Sequence, residues 1–294
     1  MKIGICLLII ALTGVMGVSV LAQSPPTLRI VTETPGLPSE LFYGDIKVKP
    51  LRLRPGTNQV ITIDDIDFFV AQQYIDFLGR FPDATGFKNW NDTLNACPNG
   101  GFGEFDNPSC DRVHVSAGFY QSTEFLGRGY WAYRWYETAL GRLPLYNEFI
   151  PDMQKVGGAQ SPQQEEVSKA QYTNDFVQRP EFKNIYDALS NQAFVDKIEQ
   201  TAGVTLPNEA QLVSALNGGT QTRAQVVRSI VESQQILDKF FNRGFVTMQY
   251  FGYLRRNPDT IGFQNWVNTL NADPANFRHM IFGFIYSTEY RNRF

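Results

Sequence analysis

The chain has 294 residues, 43% of them hydrophobic and 19% charged. That is enough to bury one large core or two medium ones, and too apolar for extended disorder. A formal charge of −3 with no Lys/Arg cluster argues against nucleic-acid binding.

Residues 1–22 read as a secretory signal. Lys2 supplies the positive end, Ile3 to Leu21 is nearly all apolar, and Val20 and Ala22 stand at the −3 and −1 positions of a cleavage site before Gln23. The competing reading is an uncleaved membrane anchor, since the apolar run approaches spanning length. Cleavage is preferred because a polar, proline-rich sequence follows. It leaves no transmembrane span and predicts an exported protein, in the periplasm, on the surface or outside the cell. Cys6 lies too early to become a lipid-modified first residue.

Residues 23–60 hold Pro25, Pro26, Pro35, Pro38, Pro50 and Pro55, which forbid long helices. The stretches IKV and LRL alternate apolar and basic residues as short, half-exposed strands do. This segment is expected to be an extended tether with one or two strands.

Beyond Ile66 the chain repeats itself. FVAQQYIDFLGRFPDATGFKNWNDTLN from Phe69 returns without a gap as FVTMQYFGYLRRNPDTIGFQNWVNTLN from Phe245, and FYQSTEF from Phe119 returns as FIYSTEY from Phe284. Weaker copies begin at Tyr133 and Phe194 and close with FVQRPEF and IVESQQI. The expected architecture is all-α, with units of three helices at 64–128, 129–190, 191–239 and 240–294. The outer units are regular and the middle ones degenerate. In the first unit Ile66, Phe69, Val70, Tyr74, Phe77 and Leu78 make one apolar face. Gly79 is placed to end that helix in a left-handed conformation, and Asp83 to cap the next one. Asp259 stands in the same place in the last unit.

Cys97 and Cys110 remain after cleavage, and an even count in an exported chain favours a disulfide. Closing their polar loop would contribute on the order of 3 kcal/mol. Metal is the alternative, but two cysteines without a histidine in the loop are half a zinc site.

The pattern FVxxxY…LGRxPDxxGFxxW…FxxSxEF resembles the bacterial family called domain of unknown function 4214, over about residues 64–294. The resemblance implies helical modules in secreted or surface-associated proteins, with a looser likeness to helical linker domains of cyanobacterial light-harvesting assemblies. It brings no catalytic residues. Two departures stand out. Arg255 replaces the helix-ending glycine, and the middle units lack the tryptophan, with Met153 near that position in the second. Regular outer units favour closed globular pairing over an open helical array, whose end repeats usually drift.

The remaining chemistry-bearing residues have plain structural readings. His114 and His279 share one repeat position that is Gln171 and Gln225 in the middle units, so they read as a polar helix site rather than metal ligands. Gly100, Gly101 and Gly103 lack the strand and Lys-Ser/Thr of a phosphate loop. The terminal Phe284, Tyr286, Tyr290 and Phe294 belong to the repeat, not to a barrel strand. Tyr130, Trp131, Tyr133, Trp135 and Tyr136 are denser than one helix face can bury, which leaves Tyr130, Trp131, Tyr133 and Trp135 as a candidate sugar- or partner-binding surface beside the reading of burial between units.

The sequence therefore points to a non-catalytic scaffold or protein-interaction module with no cofactor or metal. The alternatives are a glycan- or cell-wall-binding module using those aromatics, and, less favoured, a carboxylate-based hydrolase. The partner, protein or envelope polysaccharide, is not named by any motif. Comparing the units adds one structural expectation. The Arg of LGRxPD is Arg80, Arg142 and Arg256, and the Glu of the closing block is Glu124, Glu181 and Glu289. Where the Arg becomes Thr205 the Glu becomes Gln235. Charges that come and go together predict the bridges Arg80–Glu124, Arg142–Glu181 and Arg256–Glu289.

Overall fold

A computed structural model describes residues 28–31, 40–43, 46–48, 52–53, 60–103, 107–157 and 161–294. The signal segment and the prolines of residues 23–60 lie outside these. Strands β1 (Leu28–Val31), β2 (Glu40–Tyr43) and β3 (Ile46–Val48) pair antiparallel in that order, and β4 (Arg52–Leu53) pairs with β5 (Val60–Ile61). Among the described residues, the elements after them are all helices.

Three of the helices share an unusual end. α1 (Ile66–Gln73), α5 (Gly129–Trp135) and α12 (Gln234–Gln249) each run on into one wide π-turn, at Tyr74–Leu78, Tyr136–Leu140 and Tyr250–Leu254. The corresponding α9 (Asn191–Ala202) has no such turn. The sequence explains the difference: one residue fewer separates Phe194 from Gly203 than separates Phe69 from Gly79. A helix that carries one extra residue between two fixed contacts absorbs it as a π-bulge. All four helices then stop on a left-handed residue, Gly79, Gly141, Arg255 and Gly203.

Arg255 holds that conformation at φ 53° without being glycine. Its reward lies across the molecule, where Arg255 Nη2 donates to Asp76 Oδ1 at 3.3 Å. Asp76 is buried and also receives Arg293 Nη2 at 2.8 Å, so two guanidiniums from the end of the chain clamp one carboxylate of α1's π-turn.

The remaining helices are α2 (Ala84–Asn95), α3 (Arg112–Tyr120), α4 (Thr123–Gly127), α6 (Tyr146–Val156), α7 (Pro162–Val177), α8 (Pro180–Tyr186), α10 (Glu209–Asn217), α11 (Arg223–Val231), α13 (Thr260–Ala272), α14 (Phe277–Ile285) and α15 (Thr288–Arg291). Like packs on like: α3 lies on α14, the first π-turn on the third, α7 on α11, and the second π-turn on α9. Between these pairs α5 packs on α12. One continuous apolar core from Ile63 to Tyr290 results. The first contact is asymmetric in its chemistry. Tyr253 Oη reaches Ser116 Oγ and donates to Gln73 Oε1 at 3.1 Å, whereas the matching Phe77 presents only a ring, edge-on to Tyr253.

The aromatic run is corrected by this arrangement. Tyr130, Trp131, Tyr133 and Trp135 form no surface: they are at most 2% exposed. One helix face cannot bury them, but α5 has neighbours on every side. Gly244 of α12 leaves room where a Cβ would stand 2.8 Å from the Tyr130 ring, and Tyr172 and Phe176 of α7 pack against Trp135 from the other side. Their polar tips turn inward, Trp131 Nε1 donating to Glu232 at 2.8 Å and Tyr133 Oη to Glu137 at 2.7 Å.

Candidate functional site

Three arginines follow the left-handed residues and meet glutamates near the ends of the third helices. Arg80 donates through Nε and Nη2 to Glu124 at 2.8 and 2.7 Å, Arg142 to Glu181 at 2.8 and 2.6 Å, and Arg256 to Glu289 at 2.6 and 3.1 Å. Each is a two-point fork, the geometry a planar guanidinium favours. The turn after α9 makes an uncharged contact of the same kind, as Gln235 Nε2 donates to the Thr205 carbonyl at 3.1 Å. Each arginine also lies over a tyrosine of its own π-turn, Tyr74, Tyr136 and Tyr250.

Asp83 and Asp259 start α2 and α13, each accepting the backbone N–H three residues on, from Gly86 and Gly262, at 2.8 Å. Those N–H donors hold both carboxyls below the ordinary aspartate value. At the matching place in α6 stands Leu145, and the cap is rebuilt from elsewhere. Glu148 accepts from Leu145 N at 2.8 Å and also binds Arg142, while Asn257 Oδ1 accepts from Tyr146 N at 2.7 Å. The start of α6 thus borrows part of its cap from Asn257, just before α13.

The tryptophan position of α6 lies next to Met153, as expected. Counted from the left-handed glycine, Asp152 stands where Trp90 does, while Met153 packs against Gly79. Asp152 is buried and accepts from Tyr136 Oη at 2.6 Å, Tyr172 Oη at 3.0 Å and Arg179. Burial works to raise its pKa, but these donors and the charges of Arg179 and Lys155 leave it below the ordinary value. The cap and the tryptophan thus change together around α6, while the left-handed glycine is kept as Gly141.

The disulfide Cys97–Cys110 is formed, with Cα atoms 5.5 Å apart. Its loop reaches the end of α14: Gly103 N donates to Tyr286 Oη at 2.7 Å, and Phe102 packs edge-on against the Tyr286 ring. Asp111, fully buried at the start of α3, accepts from His114 N at 2.7 Å and from Arg278. The His114 ring sits beside Trp90, whereas His279 is exposed. Among the described residues no group of three or more His, Cys, Asp or Glu is placed to hold a metal.

One concave site went unread in the sequence. A cleft of about 510 Å³ is lined by Asp64, Asp65, Asp67, Asn91, Asn95, Asn99 and Arg112, with Ile66 and Gly100. Its acids already serve the protein. Asp64 binds Arg291 at 2.7 and 2.6 Å, Asp65 accepts from Thr62 N at 2.7 Å, and Asp67 from Phe68 N at 2.9 Å. Arg112 donates to the Ile63 and Asp64 carbonyls. Such a wall of carboxylates and amides can exchange hydrogen bonds with water or hydroxyl groups. Only the run Asp64-Asp65-x-Asp67 hinted at it, and short acidic runs ahead of helices usually serve as caps.

Residues 235–294 match the family described as Domain of unknown function (DUF4214). No curated protein and no solved structure matches the chain. The DUF4214 range takes in Arg256, Asp259 and Glu289, so the Arg256–Glu289 fork, the Asp259 cap and the Tyr250–Leu254 π-turn all lie inside it. Among the described residues, no helix is long and apolar enough to cross a membrane.

Proposed function

We propose that the protein is an exported, non-catalytic scaffold or interaction module of the bacterial cell envelope or extracellular space. In this reading a signal at 1–22 and an extended tether at 23–60 precede four DUF4214-like units at 64–128, 129–190, 191–239 and 240–294. The carrying observation is how the charges are spent. Arg80–Glu124, Arg142–Glu181 and Arg256–Glu289 tie helices within a unit. Arg293–Asp76, Arg278–Asp111 and Arg243–Glu137 tie one unit to another. Polar chemistry used this way supports a rigid body that displays its surface. Its large exposed apolar side chains, Phe81, Ile261 and Val167, offer contact points.

The test is affinity capture of the tagged full chain from its own cell envelope, with N-terminal sequencing of the recovered protein. The expected result is a mature chain starting at Gln23 that retains a defined protein partner and loses it on Phe81→Ser or Ile261→Ser. Recovery of chain starting at Met1 in the membrane would replace export with anchoring. Turnover of envelope polysaccharide by the purified chain would replace the scaffold with a hydrolase.

A further inference from the structure

The cleft of about 510 Å³ at the start of α1 has a counterpart elsewhere in the chain that is bridged. The ungapped match of the stretches from Phe69 and Phe245 sets the two places side by side. α12 runs in from Gln234, and where it passes α13 Asn242 Nδ2 donates to Asn271 Oδ1 at 2.9 Å, with Val267 buried one turn earlier. α1 begins only at Ile66, which takes the place of Asn242. Asn95, in the place of Asn271, makes no side-chain hydrogen bond among the described residues. Asn91 takes the place of Val267, so an amide lines the cleft where the counterpart buries an apolar side chain. Asn91 and Asn95 lie one turn apart and share a face of α2, and Asn99 continues the row in the turn beyond it.

The start of α1 contributes Asp64, Asp65 and Asp67 to the same cleft. Their charge is largely offset. Arg291 forks onto Asp64, and Arg112 lines the cleft while only 2% exposed. The Arg112 Nη groups go to the Ile63 and Asp64 carbonyls, and its Nε has no partner among the described residues. Three carboxylates thus meet two guanidiniums, and no metal-holding group of His, Cys, Asp or Glu is found among the described residues. Such a site has little pull on a cation and repels an anion. Its amides donate and accept, and its carboxylates accept, which is the complement of neutral hydroxyl groups. An apolar platform stands next to it. Phe102 is 37% exposed in the disulfide loop, with its ring centre 5.4 Å from the Arg112 guanidinium carbon.

We propose that this cleft binds an uncharged carbohydrate. Asn91, Asn95 and Asn99 exchange hydrogen bonds with its hydroxyls, and Phe102 takes the apolar face of a ring at one end. The volume lies in the range of small-ligand clefts, and a few well-placed polar groups beside an aromatic ring are their usual lining. The site is separate from the display surface proposed above and uses neither Phe81 nor Ile261.

Saturation-transfer NMR and titration calorimetry on the full chain test this, with maltotriose, cellotriose and tri-N-acetylchitotriose as probes and trigalacturonate as the acidic control. At least one neutral trisaccharide should bind with a Kd of about 1 mM or tighter, and trigalacturonate should not bind. Asn95→Ala and Phe102→Ser, both at exposed positions, should each weaken that binding roughly tenfold. Asn91→Val, which copies the bridged counterpart, should do the same. Phe81→Ser should leave sugar binding unchanged even where it abolishes retention of a protein partner, so the two readings fail separately. Absence of binding by all the neutral probes would overturn the proposal. Equal affinities in wild type, Asn95→Ala and Asn91→Val, or a preference for trigalacturonate, would overturn it as well.

Discussion

At the scale of single residues, the polar groups with most at stake are those deepest in the fold. Asp152 is the plainest case: its folded pKa lies below the ordinary value, so its contribution to stability is complete above the unfolded value of about 4 and is lost as pH falls through the lower folded value. Acid unfolding of Asp152→Asn should therefore show a shallower loss of stability below about pH 4 than the wild type does. The variant should also be less stable at neutral pH by about 3–5 kcal/mol, because Arg179 is left in a half-buried place without its carboxylate. An unchanged acid slope would show that other carboxylates carry the pH dependence. The position was not legible beforehand. In the outer units it is a tryptophan against the third helix, and nothing in one sequence says that an aspartate can replace it when two tyrosines and an arginine converge there.

At the scale of elements, the forked bridges fix the loop after each π-turn to the far end of its unit. Their worth should follow exposure. The Arg256 and Glu289 side chains are 41% and 47% exposed, so solvent and salt screen the pair, and a double-mutant cycle with Arg256→Met and Glu289→Gln should give a coupling under about 1 kcal/mol. Arg80 and Glu124, at 31% and 25%, should couple more strongly. An equal or reversed order would mean that burial does not set these energies. The co-occurrence of Arg with Glu across units was readable because both partners recur in the sequence. The π-turns were not recognised, although the extra residue was present, since apolar spacing looks the same across one wide turn. The left-handed ends allow a second test. Arg255→Gly should change stability by less than about 1 kcal/mol, because relieving left-handed strain of about 1–2 kcal/mol offsets the loss of one of the two guanidiniums on Asp76. Gly79→Ala, with nothing to offset the strain and Met153 close by, should lose about 1 kcal/mol or more in urea unfolding.

At the scale of the whole molecule, α3 and the first π-turn close on α14 and the third π-turn, and the disulfide sits at that seam. It joins the end of α2 to the turn before α3, and its loop carries the contacts of Gly103 and Phe102 to Tyr286. Replacing both cysteines with serine should lower stability by about 3 kcal/mol through the freed loop. Hydrogen exchange should rise in α14 as well as in the loop itself. Exchange confined to residues 97–110 would show that the loop does not hold the seam.

The sequence alone determined the helical class, the caps at Asp83 and Asp259, and the pairing of two cysteines. Each of these depends on neighbours a few residues apart or on an internal copy that can be compared directly. Only the tertiary structure decided that Tyr130, Trp131, Tyr133 and Trp135 are interior, and that Arg255 keeps a glycine's conformation to reach Asp76. Those outcomes depend on which helix packs against which, and burial on all sides of α5 comes from elements distant in sequence that no local periodicity records.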